Sequence, residues 1–171
     1  MRNTVRFSIL FSVLFLVAGT AFADGEKYSY VDIAKVFDGY QRTKDQDKIL
    51  QDIGKKKEAD RDVIVQDVRK MKDEIALLAD DAKDKKQEAL DAKVSDLQSF
   101  DQQAKQDLGE QRNKIVREIF KDIDAVVQKF GEKKGFDFVL NERALLYHNT
   151  RLDSTEEVLK ELNAEYVKKK K

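Results

Sequence analysis

The chain contains no cysteine, no proline and no tryptophan, and it has a single histidine among its 171 residues. Without cysteine there is no disulfide bond and no thiolate ligand for a metal ion. Without proline, nothing in the sequence forces a long helix to kink or break. Aromatic residues make up only 9% of the chain. We therefore expect an elongated helical structure rather than a large globular core.

Charge is abundant but balanced. Lysine and arginine number 33, aspartate and glutamate number 33, and charged residues form 39% of the chain. A dedicated nucleic-acid binder usually carries a clear basic excess. We therefore expect no nucleic-acid partner.

Residues 1–23 have the three parts of a secretory signal peptide. Arg2 and Arg6 supply a basic start, residues 7–17 form an uncharged apolar run, and residues 21–23 read Ala-Phe-Ala. We expect cleavage after Ala23 and export to the periplasm across a bacterial inner membrane. The alternative is an uncleaved anchor, which the shortness of the apolar run disfavours for a bilayer about 30 Å thick. Cleavage removes two arginines and no acid, which leaves a mature net charge of −2.

Residues 43–134 are predicted to form an antiparallel helical hairpin, called the arm below. Apolar residues recur at helical spacing among many charged ones. This spacing is interrupted at residues 79–84, where we place the turn. The alternative is one continuous helix in a parallel dimeric coiled coil, but a sustained heptad is absent. The apolar positions are Ile49, Ile53, Val63, Ile64, Val68, Met71, Ile75 and Leu78, then Leu90, Val94, Leu97, Ala104, Leu108, Ile115, Ile119, Ile123, Val126 and Phe130.

The two ends of the mature chain, residues 24–42 and 135–171, are predicted to form a small β/α body. Residues 28–32 alternate as a strand, and residues 33–38 form a short helix that Gly39 ends. Gly135 stops the long helix. Residues 136–140 then form a strand, which we expect to pair with residues 144–147 through a hairpin loop at residues 141–143. A last helix begins at residues 153–157, where Ser154 and Glu157 have the spacing of a capping box. Thr155, with acidic residues after it, is an equally good cap.

Three short strands make a poor core for an independent domain. The body also contains more apolar residues than so small a unit can hide, so we expect it to self-associate. We assign these contacts between protomers to Tyr30, Val31, Phe37, Phe136, Phe138, Leu140, Leu145 and Tyr147.

Three segments together resemble the family of periplasmic chaperones known as Skp or OmpH. They read VDIAKVFDGY at residues 31–40, KGFDFVLN at 134–141 followed by ALLY at 144–147, and DSTEEVLKELN at 153–163. The resemblance implies a jellyfish-shaped homotrimer, in which strands of three chains form a barrel-like body and three arms enclose a cavity. It also implies binding of unfolded outer-membrane proteins without ATP.

The chain departs from that family at two places. Ser154 stands where the family usually has an apolar residue. The arm tip mixes Lys83, Lys85 and Lys86 with Asp80, Asp81 and Asp84, where the family's best-known member is strongly basic. Binding of the tip to anionic lipid or lipopolysaccharide is therefore only a weak expectation.

Residues that carry chemistry are few. His148 is the only histidine, and a lone histidine is usually structural. Asp80, Asp81 and Asp84 lack the glycine and the ordered spacing of a calcium loop. We expect no catalytic site, no metal and no other cofactor.

Another class of function remains open, that of a structural periplasmic hairpin or adaptor in an envelope assembly. Such an arm would dock through an apolar patch at its tip, which Leu77 and Leu78 could supply, although core packing is the simpler interpretation. A lipid or nucleic-acid binder would rest only on the lysines at residues 168–171, which we expect to be solvated.

Gly54 and Gly109 interrupt the two predicted long helices. Glycine weakens a helix, and the midpoint of the two positions falls in the predicted turn, so they should lie at the same height along the arm. We predict a paired hinge there. The alternatives are that glycine permits close helix approach, or that it occurs at these positions by chance.

Overall fold

The computed structural model describes residues 25–170, without the side chains of Asp80 and Asp81. The predicted signal peptide lies outside the described residues. In chain order the elements are β1 (Tyr28–Val31), α1 (Ile33–Gly39), α2 (Gln41–Ala76), α3 (Asp80–Lys134), β2 (Phe138–Asn141), two 3-10 turns (Glu142–Ala144 and Thr150–Leu152) and α4 (Thr155–Lys170).

Helices α2 and α3 lie antiparallel and form the predicted hairpin arm. Ion pairs cross between them from end to end, including Arg61 with Asp101 at 2.8 Å and Lys86 with Glu74 at 2.5 Å. Helix α2 has 36 residues and α3 has 55, or about 54 and 82 Å at 1.5 Å per residue. A single continuous helix is excluded because the chain reverses between them.

The turn at the arm tip lies at residues 77–79, slightly earlier than the predicted 79–84. The amides of Leu77 and Leu78 donate to carbonyls of the last turn of α2, at 3.1 and 3.2 Å. Ala79 is extended and its carbonyl accepts the first bonds of α3. The aspartates of the predicted turn begin α3 instead, and the helix dipole favours acidic residues at that end of a helix.

The two strands pair with each other in parallel, with Tyr28 opposite Phe138 and Tyr30 opposite Leu140. The predicted hairpin between residues 136–140 and 144–147 is therefore wrong. The Asn141 side chain accepts a bond from the amide of Arg143 at 3.2 Å and starts a 3-10 turn that directs the chain away from the sheet. Parallel strands need a long crossover, and the arm is that crossover.

The hydrophobic core lies where α1, α4 and β1 pack against the C-terminal third of α3. Its fully buried members are Val31, Val36, Tyr40, Ile119, Ile123, Val126, Phe130, Val158 and Leu162. Four of these nine lie on α3, so the body draws much of its core from the long helix rather than from the strands. Gly135 ends that helix with a φ of 69°, a left-handed conformation that glycine adopts without strain.

Helix α4 begins where it was predicted to begin, and the carbonyl of Ser154 accepts its first bond, from the amide of Val158 at 3.0 Å. The Ser154 hydroxyl, however, does not make the predicted capping-box bond. The carboxylate of Asp153 accepts from the amide of Thr155 at 2.8 Å. The hydroxyl of Ser154 is buried and lies 2.6 Å from that of Ser29, which in turn donates to the carbonyl of Leu152 at 2.8 Å. A buried partner on β1 therefore satisfies the polar residue at position 154.

Among residues 25–170, no helix is long and apolar enough to cross a membrane.

Candidate functional site

The sheet has one face toward the helices and one face outward. Alternate residues of a strand point to opposite sides, and Val31 and Val139 pack on the core. The register then places Tyr28, Tyr30, Phe138 and Leu140 together on the outer face. Phe138 is 55% exposed, and Tyr28 and Leu140 are exposed as well. This apolar outer face is the first candidate site.

Residues 145–149 cover part of the outer face. The His148 ring packs on the Tyr30 ring at 4.3 Å, and its Nε2 lies 3.2 Å from a carboxylate oxygen of Glu142. Beside these rings is a mainly apolar cavity of about 290 Å³, open to solvent and lined in part by Leu145 and Leu152. Leu146 is fully exposed and Tyr147 is 85% exposed. The segment thus adds projecting apolar side chains to the outer face.

The outer edge of β2 is open. In the described part of the chain β2 pairs only with β1, whereas β1 also receives a bond on its other side, from the amide of Ser154 to the carbonyl of Tyr30 at 3.0 Å. An exposed strand edge with apolar side chains is a template for pairing with another chain.

The residues predicted to join protomers fall into two groups. Phe138, Leu140 and Tyr147 are exposed. Five others are held within the single chain. Val31 belongs to the core, Tyr30 is buried beneath His148, and Leu145 is half-buried. The Phe37 ring stacks on Phe120 with 5.4 Å between centroids, and the Phe136 ring packs on Phe130 with 6.0 Å between centroids. Tyr28, Leu146 and Leu152 are exposed neighbours that the sequence prediction missed. Leu146 was missed because residues 144–147 were placed in a strand.

The arm is the second candidate site. Among the described side chains of residues 44–114, only Val68 and Leu90 are buried. Ile49, Val63 and Leu77 are exposed by 47%, 61% and 88%. They stand fourteen residues apart, which is about 21 Å and almost four whole turns of a helix. Helix α2 thus displays Ile49 and Val63 as isolated apolar side chains separated by charged turns, and Leu77 follows directly after its last residue.

The predicted contacts at the arm tip are only partly available. Leu77 is exposed and Leu78 is half-buried. Lys86 pairs with Glu74, and the hydrogen bond from Lys86 lowers the pKa of that carboxyl below its ordinary value. Lys85 is exposed and Lys83 is half-buried. The tip therefore offers one prominent apolar side chain beside partly neutralised charge.

The two arm glycines lie at similar heights on opposite helices. Lys57, one turn from Gly54, pairs with Asp107, two residues from Gly109, at 2.9 Å. A methyl group added at either glycine would meet no heavy atom within 4 Å in the described part of the chain. Close helix approach is therefore not the reason for glycine at these positions. A third glycine of the long helices, Gly131, lies near the end of α3.

A charged network at the root of the arm was not predicted. Arg42 donates to Asp122 at 2.7 Å and to Glu118 at 2.5 Å, and the Tyr40 hydroxyl donates to Asp122 at 2.9 Å. Burial acts to raise the pKa of Asp122, but the bonds from Arg42 and Tyr40 outweigh it and hold that pKa below its ordinary value.

The C-terminal lysines that the structure describes are exposed, as expected, and two of them also pair with acidic residues of the arm. Lys170 lies 2.9 Å from Asp45, and Lys169 lies 3.7 Å from Asp122. Because α4 runs on as a helix to Lys170, its last turn reaches the arm. The helical pattern that continues to the end of α4 was the sequence signal that could have predicted this contact.

Comparison with known proteins agrees with this architecture. A family model described as outer membrane protein (OmpH-like) matches residues 27–162. Among curated proteins, none matches the sequence significantly. A similar solved structure is that of a candidate outer membrane chaperone (OmpH-like) from Caulobacter crescentus CB15, with a TM-score of 0.76, 16% identity, and coverage of 82% of this chain and 85% of that one. At that identity the structure supports the shared fold alone. Since the family model spans most of the sequence, this chain belongs to the OmpH-like outer membrane protein family.

Proposed function

We propose that this protein is a periplasmic holdase, a chaperone that binds unfolded outer-membrane β-barrel proteins without ATP and prevents their aggregation. Family membership supports the general class, and the relative from Caulobacter is itself described as a candidate chaperone. The exposed apolar row on the arm carries the proposal.

That row suits an unfolded client. An unfolded chain exposes scattered apolar groups, and many weak contacts along an arm can hold it where one tight pocket cannot. Ile49, Val63 and Leu77 offer such contacts at wide spacing. The charged turns between them keep the arm soluble when no client is bound.

We further propose that the body forms a homotrimer, as the family resemblance implies. The outer face of the sheet and the open edge of β2 support self-association, because both leave apolar or backbone groups uncovered in a single chain. Three arms joined at one body would then surround a shared space. The predicted hinge at Gly54 and Gly109 would let that space adapt to clients of different size.

The test uses the mature protein, residues 24–171, and an unfolded β-barrel protein diluted from urea. Aggregation followed by light scattering should be suppressed, with one client bound per trimer. Replacing Ile49 and Val63 by glutamine should weaken suppression, whereas the matched change Ala59→Gln, at an exposed residue of the same helix, should not. Absence of suppression by the wild-type protein at stoichiometric excess would refute the holdase. Addition of EDTA should leave suppression unchanged, since we expect no metal requirement.

A second candidate function is that of an adaptor that docks on an envelope assembly through the arm tip. The single prominent side chain of Leu77 favours it. If the protein is an adaptor, Leu77→Ser should abolish binding to the assembly, and neither the wild-type protein nor the variant should suppress aggregation. If Leu77→Ser merely weakens client binding in proportion to Ile49→Gln, the holdase is supported.

The periplasmic location rests on residues 1–23. Cell fractionation should recover a processed chain that begins at Asp24. A full-length chain retained in the inner membrane would overturn the cleavage site.

A further inference from the structure

Helix α4 continues past the last residue that the family model matches, residue 162, to Lys170. Along its length it lies antiparallel to the end of α3. Three ion pairs join the two helices: Glu157 with Lys134, Glu161 with Lys133, and Glu165 with Lys129, at 2.5, 2.6 and 2.9 Å. This ladder directs the final turns of α4 toward the root of the arm.

One face of α4 then contacts the first turns of α2. Asn163, Tyr166 and Lys170 have the i, i+3, i+7 spacing that places side chains on a single helical face. Asn163 accepts a hydrogen bond from the amide of Gln41 at 2.7 Å, Tyr166 donates to Asp45 at 3.0 Å, and Lys170 donates to the same carboxylate at 2.9 Å. We call these three residues the C-terminal clamp.

The clamp supplies an N-terminal cap, which α2 does not have from its own residues. The N-cap residue of α2, Tyr40, makes no capping bond with its side chain, so the first amide of that helix depends on Asn163 from another helix. A cap of this kind is worth about 0.5–2 kcal/mol to a helix in general. The clamp therefore bears on whether the start of the arm is formed, and not only on where it points.

Packing and charge fix the clamp in place. The Tyr166 ring packs on the core and lies edge-on to Tyr40 at 5.7 Å between centroids. Hydrogen bonds from Lys170, Gln41 and Tyr166 lower the pKa of Asp45 to about 2. The Asp45 carboxylate is thus ionised, and able to accept all three hydrogen bonds, at every physiological pH.

We propose that the C-terminal clamp is a conformational device that locks the root of the arm to the body and thereby sets the range of angles at which the arm leaves it. The clamp ties α4 to α2, while Lys169 adds a contact from α4 to Asp122 on α3. Because both arm helices are held by one short helix, loosening that helix frees the arm as a unit. This device is independent of what the arm binds.

The test compares the wild-type mature protein with the double variant Tyr166→Phe, Lys170→Gln. The phenylalanine keeps the ring against Tyr40 and removes only the hydroxyl, so the core stays packed. Hydrogen exchange of a peptide covering residues 41–52 should become about three- to tenfold faster, as expected for the loss of two hydrogen bonds that hold a local unit closed. Exchange of residues 90–110, farther along the arm, should not change.

The control is Lys168→Gln. Lys168 lies in the same turn of α4, is also exposed, and makes no ion pair within residues 25–170. A second measurement uses spin labels at Lys160 and Asp60, with labelled chains diluted into unlabelled ones so that only distances within a chain are read. The distance distribution should broaden in the clamp variant and not in the control. If exchange and distances match the control while circular dichroism shows intact helices, the clamp does not lock the arm. Neither measurement involves a client, so failure of the holdase proposal would leave this result standing.

Discussion

The double substitution Gly54→Ala, Gly109→Ala should stabilise the protein. Both glycines lie within continuous helices, and an added methyl group would meet no atom within 4 Å in the described part of the chain. Alanine is favoured over glycine in a helix by about 0.5–1 kcal/mol. With no clash to offset that gain, the double variant should gain about 1–2 kcal/mol in free energy of unfolding. For a chain of this size the melting temperature should rise by about 2–8 °C.

The assay is thermal unfolding by circular dichroism, at one protein concentration because self-association couples stability to concentration. The matched control is Gly135→Ala, the same chemical change at a residue whose φ is 69°. There alanine must adopt the left-handed conformation, which costs about 1–2 kcal/mol. The control should therefore lower the melting temperature, opposite in sign to the double variant.

A melting temperature that stays level or falls in the double variant would refute the propensity argument. The hinge hypothesis needs a further result. Spin labels near the arm tips should give a narrower distance distribution in the double variant, and large clients should bind less well. If stability rises but the distribution is unchanged, the two glycines are only weak helix formers and no hinge exists.

Three further perturbations test the body and the root of the arm. Phe138→Asp puts a charge on the outer face of the sheet, so light scattering should show dissociation while circular dichroism shows an intact arm. Ser29→Ala should cost about 1–3 kcal/mol in urea unfolding by orphaning the buried Ser154 hydroxyl, and the double variant with Ser154→Ala should recover part of that loss. Because the folded pKa of Asp45 is about 2, below its ordinary 3.8, its contribution is complete above about pH 4 and is lost as the pH falls towards 2. The urea midpoint should drop over that range, and less so in Asp45→Asn.

The helices were predictable from the sequence because their signals are local. Helical periodicity, the absence of proline and the glycine stop at Gly135 indicated the arm, and the segments at its two ends correctly identified the family. The turn was misplaced by a few residues because it was placed where the apolar spacing is interrupted, and that interruption continues over residues 82–89, the mostly exposed start of α3.

The strand pairing could not be read from local pattern. Residues 144–147 form a short apolar run that could pair as a strand, but β2 pairs with β1 instead, after a crossover of the whole arm. Ser154 illustrates the same limit. Alone it was a departure from the apolar residue usual in the family, and the buried partner that satisfies it, Ser29, lies 125 residues away in sequence. The clamp was also missed, since each of its bonds joins residues more than 120 positions apart.

The parallel pairing of β1 and β2 also constrains the order of folding. Paired positions of the two strands are 110 residues apart, as Tyr28 and Phe138 are, and closing a flexible loop of that length costs about 4 kcal/mol in chain entropy. The pairing of two four-residue strands cannot offset that entropy cost alone. Once the local contacts of the arm have formed, however, the long helices return the chain to its starting point and most of the loop is already closed. Strand β1 therefore stays unpaired until β2, 110 residues later in the chain, has reached the compartment where the protein folds. The apolar edge of the unpaired strand is an aggregation hazard for that entire interval.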